Sequence, residues 1–344
     1  LAGVITAGGD DTNSGGANLS LQHNNFPVVG VSKTMDNDLN LPYNAPTYGF
    51  QTWVQRAAEQ ARYFTEEAKT LNRILVAECF GRDSGYAPLG VGVMLGASRT
   101  LIPEVQLDIE ELLSDMEAYY KRFHYGIVIV SEAITINPTI GRNQQLFEEA
   151  LEKDGLAKYM ANKPAKKDGF GHAKLSGAGE IVTAILNTHL KKISVTTAPK
   201  LTYGPRVAEP IYPDLERCLM MGHTAIQYLL QGPTGHLLYF DQGKIKSISL
   251  TEGNLGGRRV DVEGDYKTHY EEANQAIILR KYPEMFKEES ATDNGETSSS
   301  PIENKDIDAI AKILKIEVNK DTILVLKRLL ATLKNIKDKK IDEK

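Results

Sequence analysis

Two short segments hold residue types suited to chemistry, and both directly follow strand-like apolar runs. In the first, Gly8-Gly9-Asp10-Asp11-Thr12, two glycines end a run that opens the chain. Glycine lets backbone N–H groups come close to a phosphate, and the start of a following helix favours an anion. Two adjacent carboxylates in such a loop need a counterpart. One of them can hold Mg2+, a hard ion that takes carboxylate and phosphate oxygens together. Taken alone, the loop also suits a tight turn with solvated carboxylates. The second segment, Ser32-Lys33-Thr34-Met35-Asp36-Asn37-Asp38, combines a cation, a hydroxyl and two carboxylates. A third turn, Phe80-Gly81-Arg82-Asp83-Ser84-Gly85, closes another apolar run and adds a guanidinium.

These segments need a scaffold that ends strands side by side. Apolar runs at Leu1 to Thr6, Phe26 to Val31, Arg73 to Cys79, Thr100 to Ile102 and Gly126 to Ser131 read as strands, the first of them buried. Helical periodicity separates them at about 51–71, 89–97 and 108–123. This order predicts an α/β protein with mostly parallel sheets, in which ligands sit at the carboxyl ends of strands. Further on, 175–190 and 214–230 read as helices, 192–196 as a strand, and 237–250 as a hairpin turning at Gln242-Gly243. Residues 137–170 are polar and carry no assignable period. Residues 288–304 have a linker composition, and 305–344 carry helical periodicity with a Lys-rich end.

The chain has 344 residues, 41% of them hydrophobic and 25% charged, enough for two sub-domains. A net charge of −5 argues against a nucleic-acid partner, so anionic ligands must be held by local cations and N–H groups. Two cysteines, Cys79 and Cys218, make no metal spacing and no disulfide framework, which fits a cytoplasmic protein. No apolar run is long enough to span a bilayer, and no signal peptide opens the chain. Because a strand begins almost at Leu1, the chain is expected to start inside a domain.

The two site segments together resemble the phosphofructokinases. The GGDDT loop and the SKTMDND loop match that family's paired motifs, and Arg73 with Phe80-Gly81-Arg82 is similar to its R…MGR segment, with Phe80 in place of the usual Met. Ser131-Glu132 resembles its SEG. Phe170-Gly171-His172 with Leu175, Gly177 and Gly179 is similar to its FGHxxLGG stretch. Tyr203-Gly204-Pro205-Arg206, followed by Asp214 and Met221-Gly222, resembles its substrate loop. The matches run in family order from residue 1 to about residue 285.

The resemblance implies two Rossmann-like sub-domains with mostly parallel sheets and a helical C-terminal tail. Residues 1–47 with 205–255 would form the phosphoryl-donor part, 48–204 with 256–285 the fructose 6-phosphate part, and 286–344 a linker and tail. It implies Mg2+-dependent, reversible phosphoryl transfer to the 1-hydroxyl of fructose 6-phosphate, a glycolytic step, in a homo-oligomer, a dimer or tetramer. Asp36 is then the general base, Thr34 a hydroxyl donor to the transferring group, Asp38 a positioning or metal-linked carboxylate, and Asp10 the Mg2+ ligand. Arg82 stabilises charge on the transferred group. Gly8, Gly9, Asp11 and Lys33 line the donor, while Phe80, Gly81 and Glu132 meet the sugar. Tyr203, Arg73 and Arg206 take the 6-phosphate, Arg73 from a neighbouring subunit, and Lys191 or Lys192 could share that phosphate. His172 is read as a surface or structural residue.

The resemblance also bears on the donor. ATP-using members usually have Gly where Asp11 stands, and many have Gly where Lys33 stands. A carboxylate would crowd the α-phosphate of a nucleotide, and a Lys supplies a point charge to a shorter donor. The pair implies pyrophosphate. An ATP-dependent 6-phosphofructokinase and a non-catalytic subunit that binds sugar phosphate are the alternatives. Family members carry another Gly-rich loop and an Arg well before the first motif. This sequence has neither, so its donor site is expected to be incomplete as it stands.

Overall fold

The computed structural model of the chain describes residues 1–153, 177–250 and 257–286. In chain order the strands are β1 (Val4–Gly8), β2 (Val28–Thr34), β3 (Tyr48–Gly49), β4 (Arg73–Cys79), β5 (Arg99–Leu101), β6 (Gly126–Ser131), β7 (Ser194–Thr197), β8 (His236–Asp241) and β9 (Lys244–Ser249). Among the helices, α1 is Asp10–Gln22, α2 Phe50–Thr70, α3 Tyr86–Leu95, α4 Ile109–Phe123 and α5 Asn143–Lys153. They continue with α6 (Ala178–His189), α7 (Tyr203–Arg206), α8 (Tyr212–Gln231), α9 (Lys267–Glu272) and α10 (Gln275–Lys281).

The strands form two sheets. The first runs β1-β2-β8-β9, with β3 beside the end of β2, and the second runs β5-β6-β4-β7. Every pairing is parallel except the β8/β9 hairpin, whose turn residues Gln242 and Gly243 both have positive φ, 46° and 78°. That backbone matches the twist of the two strands. The expected α/β architecture with mostly parallel sheets is therefore present.

Side-chain periodicity explains the layers. In β2, Val28 packs with Ala17 of α1 and with Leu237, while Val29 and Val31 pack on the opposite face with Met221 and Ala225 of α8. A period of two on a strand buried on both faces gives this split. Helix α2 buries Trp53, Ala57, Ala61, Phe64 and Ala68, a stripe at three- and four-residue spacing, against Leu75, Ile127 and Ile129 of the second sheet. The other face of that sheet is covered by Leu112 and Met116 of α4 and by Val182 and Ile185 of α6. Asp108 caps α4 by accepting a hydrogen bond from Glu111 N at 3.1 Å.

Strands Arg73–Cys79 and Gly126–Ser131 form as their apolar runs predict. The first strand is displaced and less buried than its composition suggests. It spans Val4–Gly8, and Ile5 is 40% exposed. An apolar run does not say whether a strand has neighbours on both sides, and among the described residues β1 pairs only with β2. The polar stretch after residue 137 contains α5, and the expected loop at Tyr203 is a single turn of helix, α7. No helix of the described residues is long and apolar enough to cross a membrane. The Phe170-Gly171-His172 motif and the expected linker and tail beyond residue 286 lie outside the described residues.

Candidate active site

Parallel register brings the sequence motifs together in pairs. Gly8 at the end of β1 is level with Ser32 of β2, and Cys79 at the end of β4 is level with Ser131 of β6. The two-glycine loop and the Ser32–Asp38 segment thus leave the first sheet side by side. The Phe80-Gly81-Arg82 turn and Glu132 leave the second sheet in the same way. Asn13, fully buried, holds the first pair: its Nδ2 donates to Gly8 O at 2.8 Å, Gly9 O at 3.0 Å and Val31 O at 3.4 Å. Glycine is needed at position 8, where a Cβ would lie 2.4 Å from the Thr12 side chain. Gly9 faces Thr34, whose Cβ would be 3.5 Å from a Cβ on Gly9.

Asp36 is half-buried just beyond β2. Its backbone N–H donates to Thr34 Oγ1 at 3.1 Å, and Thr34 Oγ1 donates to its carboxylate at 3.4 Å. Burial pushes its carboxyl above the usual range, against the opposing fields of Arg206 and Arg82 and the Thr34 contact. Asp38 is pushed up to about 6, by burial first and then by the charges of Asp36, Asp10 and Asp83. Its Oδ1 is buried without a hydrogen-bond partner. Asp10 and Asp11 occupy the first turn of α1, where the helix dipole favours negative charge, and Asp10 accepts a hydrogen bond from Ser14 at 3.1 Å. Asp11 and Lys33 are both exposed.

The second sheet contributes cations and an acid. Arg82 and Arg206 both act on Asp36 through space, and Arg82 also acts on Glu132, so the two strand-end loops face one site. Arg82 Nε pairs with Asp83 at 2.9 Å. The Phe80 ring meets Tyr203 edge-on at 5.5 Å, and the Arg206 guanidinium lies 5.8 Å from the same ring. Phe80 thereby organises the short helix α7. Gly81 has φ 144°, and its carbonyl accepts a hydrogen bond from Ser131 Oγ at 2.6 Å, joining the two loops. Glu132 is pushed up to about 7 by burial first, then by Glu78 and Asp36, against Arg82 and Lys200.

Arg73 is not gathered with the others. It stands at the amino end of β4, level with Ser194, paired with Glu67 and donating to Thr196 Oγ1 at 3.3 Å. Arg82 follows the opposite end of the same seven-residue strand, on the order of 20 Å away at 3.3 Å per residue. Lys191 and Lys192 precede β7 and share the Arg73 end of the sheet.

Sequence reading missed a scaffold of polar groups beneath the site. Glu78, 1% exposed in β4, accepts from Gly177 N at 2.9 Å and Gly179 N at 3.0 Å at the start of α6, and pairs with Lys200 at 2.6 Å. Burial alone would raise Glu78. Lys200 and the two N–H groups outweigh it and hold the carboxyl below its usual range. A single Glu inside the run Arg73–Cys79 was the available signal. Asp214, also buried, accepts from Thr52 N and Thr52 Oγ1 at 2.7 Å each, fixing the start of α2 against α8.

Residues 1–197 match the family described as Phosphofructokinase. The chain belongs to the phosphofructokinase family. A pyrophosphate–fructose 6-phosphate 1-phosphotransferase of Naegleria fowleri is 28% identical over 88% of this phosphofructokinase chain and 71% of its own. A protein of the same description from Streptomyces coelicolor is 29% identical over 75% and 68%. An ATP-dependent 6-phosphofructokinase of Corynebacterium efficiens is 34% identical over 76% and 68%. Among solved structures, the pyrophosphate-dependent phosphofructokinase of Marinobacter aquaeolei superposes with a TM-score of 0.59 at 16% identity, over 81% of this chain and 68% of that one. That likeness shows a common phosphofructokinase fold.

Proposed function

We propose that this phosphofructokinase transfers a phosphoryl group from pyrophosphate to the 1-hydroxyl of fructose 6-phosphate, reversibly and with Mg2+. The observation that carries the reading is the setting of Asp36, a carboxylate kept half out of water at a strand end, with two guanidinium groups in electrostatic reach. Phosphoryl transfer needs positioned oxygens and concentrated positive charge more than a strong base. Asp36 takes the proton of the attacking hydroxyl, Thr34 orients it, and Arg82 offsets charge on the transferred group. Glu132 accepts from the sugar hydroxyls beside Phe80 and Gly81. Arg206 and Tyr203 hold the 6-phosphate, a guanidinium being suited to bidentate phosphate contact.

The residues present fit a hard cation. Asp38 Oδ1 is buried and orphaned, and the Asp10 charge lies within reach of it. Among the described residues no three His, Cys, Asp or Glu side chains gather closely enough to hold an ion alone. Mg2+ is normally completed by phosphate oxygens and water, so Asp10 and Asp38 suffice on the protein side. When bound, the ion neutralises charge on the phosphates. Arg73, with Lys191 and Lys192 near the same sheet end, is too far from Asp36 to act on the same site, which supports its serving a second copy of the chain in a homo-oligomer.

Gly8 and Gly9 open the donor side, and Asp11 with Lys33 sets the choice of donor. A carboxylate about 4 Å from a nucleotide α-phosphate costs roughly 4 kcal/mol at an effective dielectric of about 20, before screening. Pyrophosphate ends before that position. The test is kcat/KM for pyrophosphate and ATP, with Mg2+, in the complete parent protein and in its Asp11→Gly and Lys33→Gly variants. The parent is expected to prefer pyrophosphate. Asp11→Gly should raise ATP use, and Lys33→Gly should mainly lower pyrophosphate use. A parent that prefers ATP, or a donor ratio untouched by Asp11→Gly, replaces this reading with the ATP-dependent one.

A further inference from the structure

Arg258 lies 220 residues along the chain from Asp38, yet it grips the loop that bears both carboxylates. We infer that Arg258 is a positioning residue for phosphoryl transfer, acting through the backbone of Asp36-Asn37-Asp38. The inference rests on the assignment of Asp36 as the base.

The loop does not hold its own shape. Asn37, between the two carboxylates, has φ 55°, a left-handed conformation that costs energy for any side chain and is tolerated best by Asn and Asp after Gly. Two outside groups keep it there. On one side Asn37 Oδ1 accepts from Thr47 N at 3.0 Å, while Thr47 Oγ1 donates to Thr34 O at 2.8 Å. On the other, Arg258 Nη2 donates to Asn37 O at 2.8 Å and Arg258 N donates to Asp38 O at 2.5 Å. Nη1 reaches Asn44 Oδ1 at 3.4 Å, and the neighbouring Gly257 bridges to Leu39. A single residue thus fixes two consecutive carbonyls, and with them the directions in which Asp36 and Asp38 leave the turn.

The same strap is anchored to the second sheet. The Arg258 guanidinium lies 4.7 Å from the Tyr86 ring, and Tyr86 Oη donates to Arg259 O at 3.0 Å. Val260 N donates to Glu104 Oε1 at 2.9 Å, and the same oxygen accepts from Gly85 N at 2.8 Å. Gly85 and Tyr86 follow directly on the turn that carries Arg82. The chain from Gly257 to Val260 therefore ties the Asp36 loop of one sheet to the Arg82 turn of the other. Covering the Tyr86 ring needs only an apolar side chain, and a guanidinium buried to 8% exposure is costly unless its donors are used. Here Nη2 is spent on the Asp36 loop and Nη1 on Asn44, while Nε is buried without a partner, a cost the fold carries to keep the guanidinium at this place.

The experiment compares the full chain with Arg258→Met and Arg258→Lys. Steady-state kinetics are run with fructose 6-phosphate and each donor, and amide hydrogen exchange is followed at residues 34–39 and 74–79. Misplacement of a reacting group by about 1 Å costs on the order of 100-fold in rate, so Arg258→Met should lose about that much in kcat. KM for fructose 6-phosphate should stay within about threefold, because the sugar contacts are untouched. Exchange should quicken at 34–39 and not at 74–79. Arg258→Lys keeps the charge but one donor group, and should lose about tenfold or more in kcat; it carries the test if the Met variant does not fold. Wild-type kcat in either folded variant overturns the inference, as does exchange that stays protected at 34–39 or quickens equally at both segments. Inactivity of the complete protein with both donors defeats the proposed reaction instead, and the exchange comparison still decides whether Arg258 shapes the loop.

Discussion

Glu78 stands near the carboxyl end of β4 and Glu132 just beyond the carboxyl end of its parallel neighbour β6, and the two are in opposite states. Glu78 is fully covered, yet its carboxyl is held low by Lys200 and two N–H groups of α6. Glu132 is less covered, yet it is pushed up to about 7, because burial and the charges of Glu78 and Asp36 outweigh Arg82 and Lys200. The difference separates two uses of a buried carboxylate. One is a brace, with its partners supplied by the fold. The other is short of partners, a condition that a ligand bearing hydroxyls or cations can relieve. Asp36 and Asp38 fall with Glu132.

The largest expected effect tests the partner-poor group. Asp36→Ala should lower kcat by about 10^3- to 10^4-fold, with KM for fructose 6-phosphate little changed. Its melting temperature should hold or rise, since a carboxylate disfavoured by burial is removed. Near-normal turnover, or a collapse of the melting temperature, would move Asp36 among the braces. Next, Glu78→Ala takes the nearer of two carboxylates from half-buried Lys200, which keeps Glu180, and leaves two N–H groups without their acceptor. Breaking such a pair costs about 3 kcal/mol, to be read by denaturant unfolding. A loss below about 1 kcal/mol would mean that Glu78 braces nothing.

The smallest effect sharpens the comparison through pH. An unfolded Glu titrates near 4.3, and Glu132 in the fold near 7. Between these values the folded state binds the extra proton, so stability falls as pH rises through the window. Glu132→Gln removes that penalty. The variant should melt a few degrees above the parent at about pH 8 and level with it at about pH 4. Equal melting at both values would show that Glu132 is adequately paired without a ligand.

The strand-end motifs were legible because they are local. Gly8-Gly9 and Thr34-Met35-Asp36 each sit within a few residues of the strand that aims them, and parallel pairing then sets them side by side. The braces were not legible, because their partners are remote. Glu78 meets Gly177 and Lys200, 99 and 122 residues away, and Arg258 meets Asn37 221 residues away. No local pattern encodes such a pairing. The burial of β1 was misread for a related reason: Val4 and Ile5 show apolarity, and only the sheet order shows whether a strand has a second neighbour.

That sheet order also bears on how the chain comes to be folded. All four strands of the second sheet lie between Arg73 and Thr197, one uninterrupted stretch. The first sheet is split: β2 must wait for β8, which pairs Val29 with His236. On a ribosome the second sheet can close while its neighbour still lacks a strand, and long-range pairings of this kind are slow to form. The Asp36 loop gains its final clamp from Arg258, later still in synthesis. The Asp36 loop is therefore expected to settle late, after the second sheet has formed around the residues that face it.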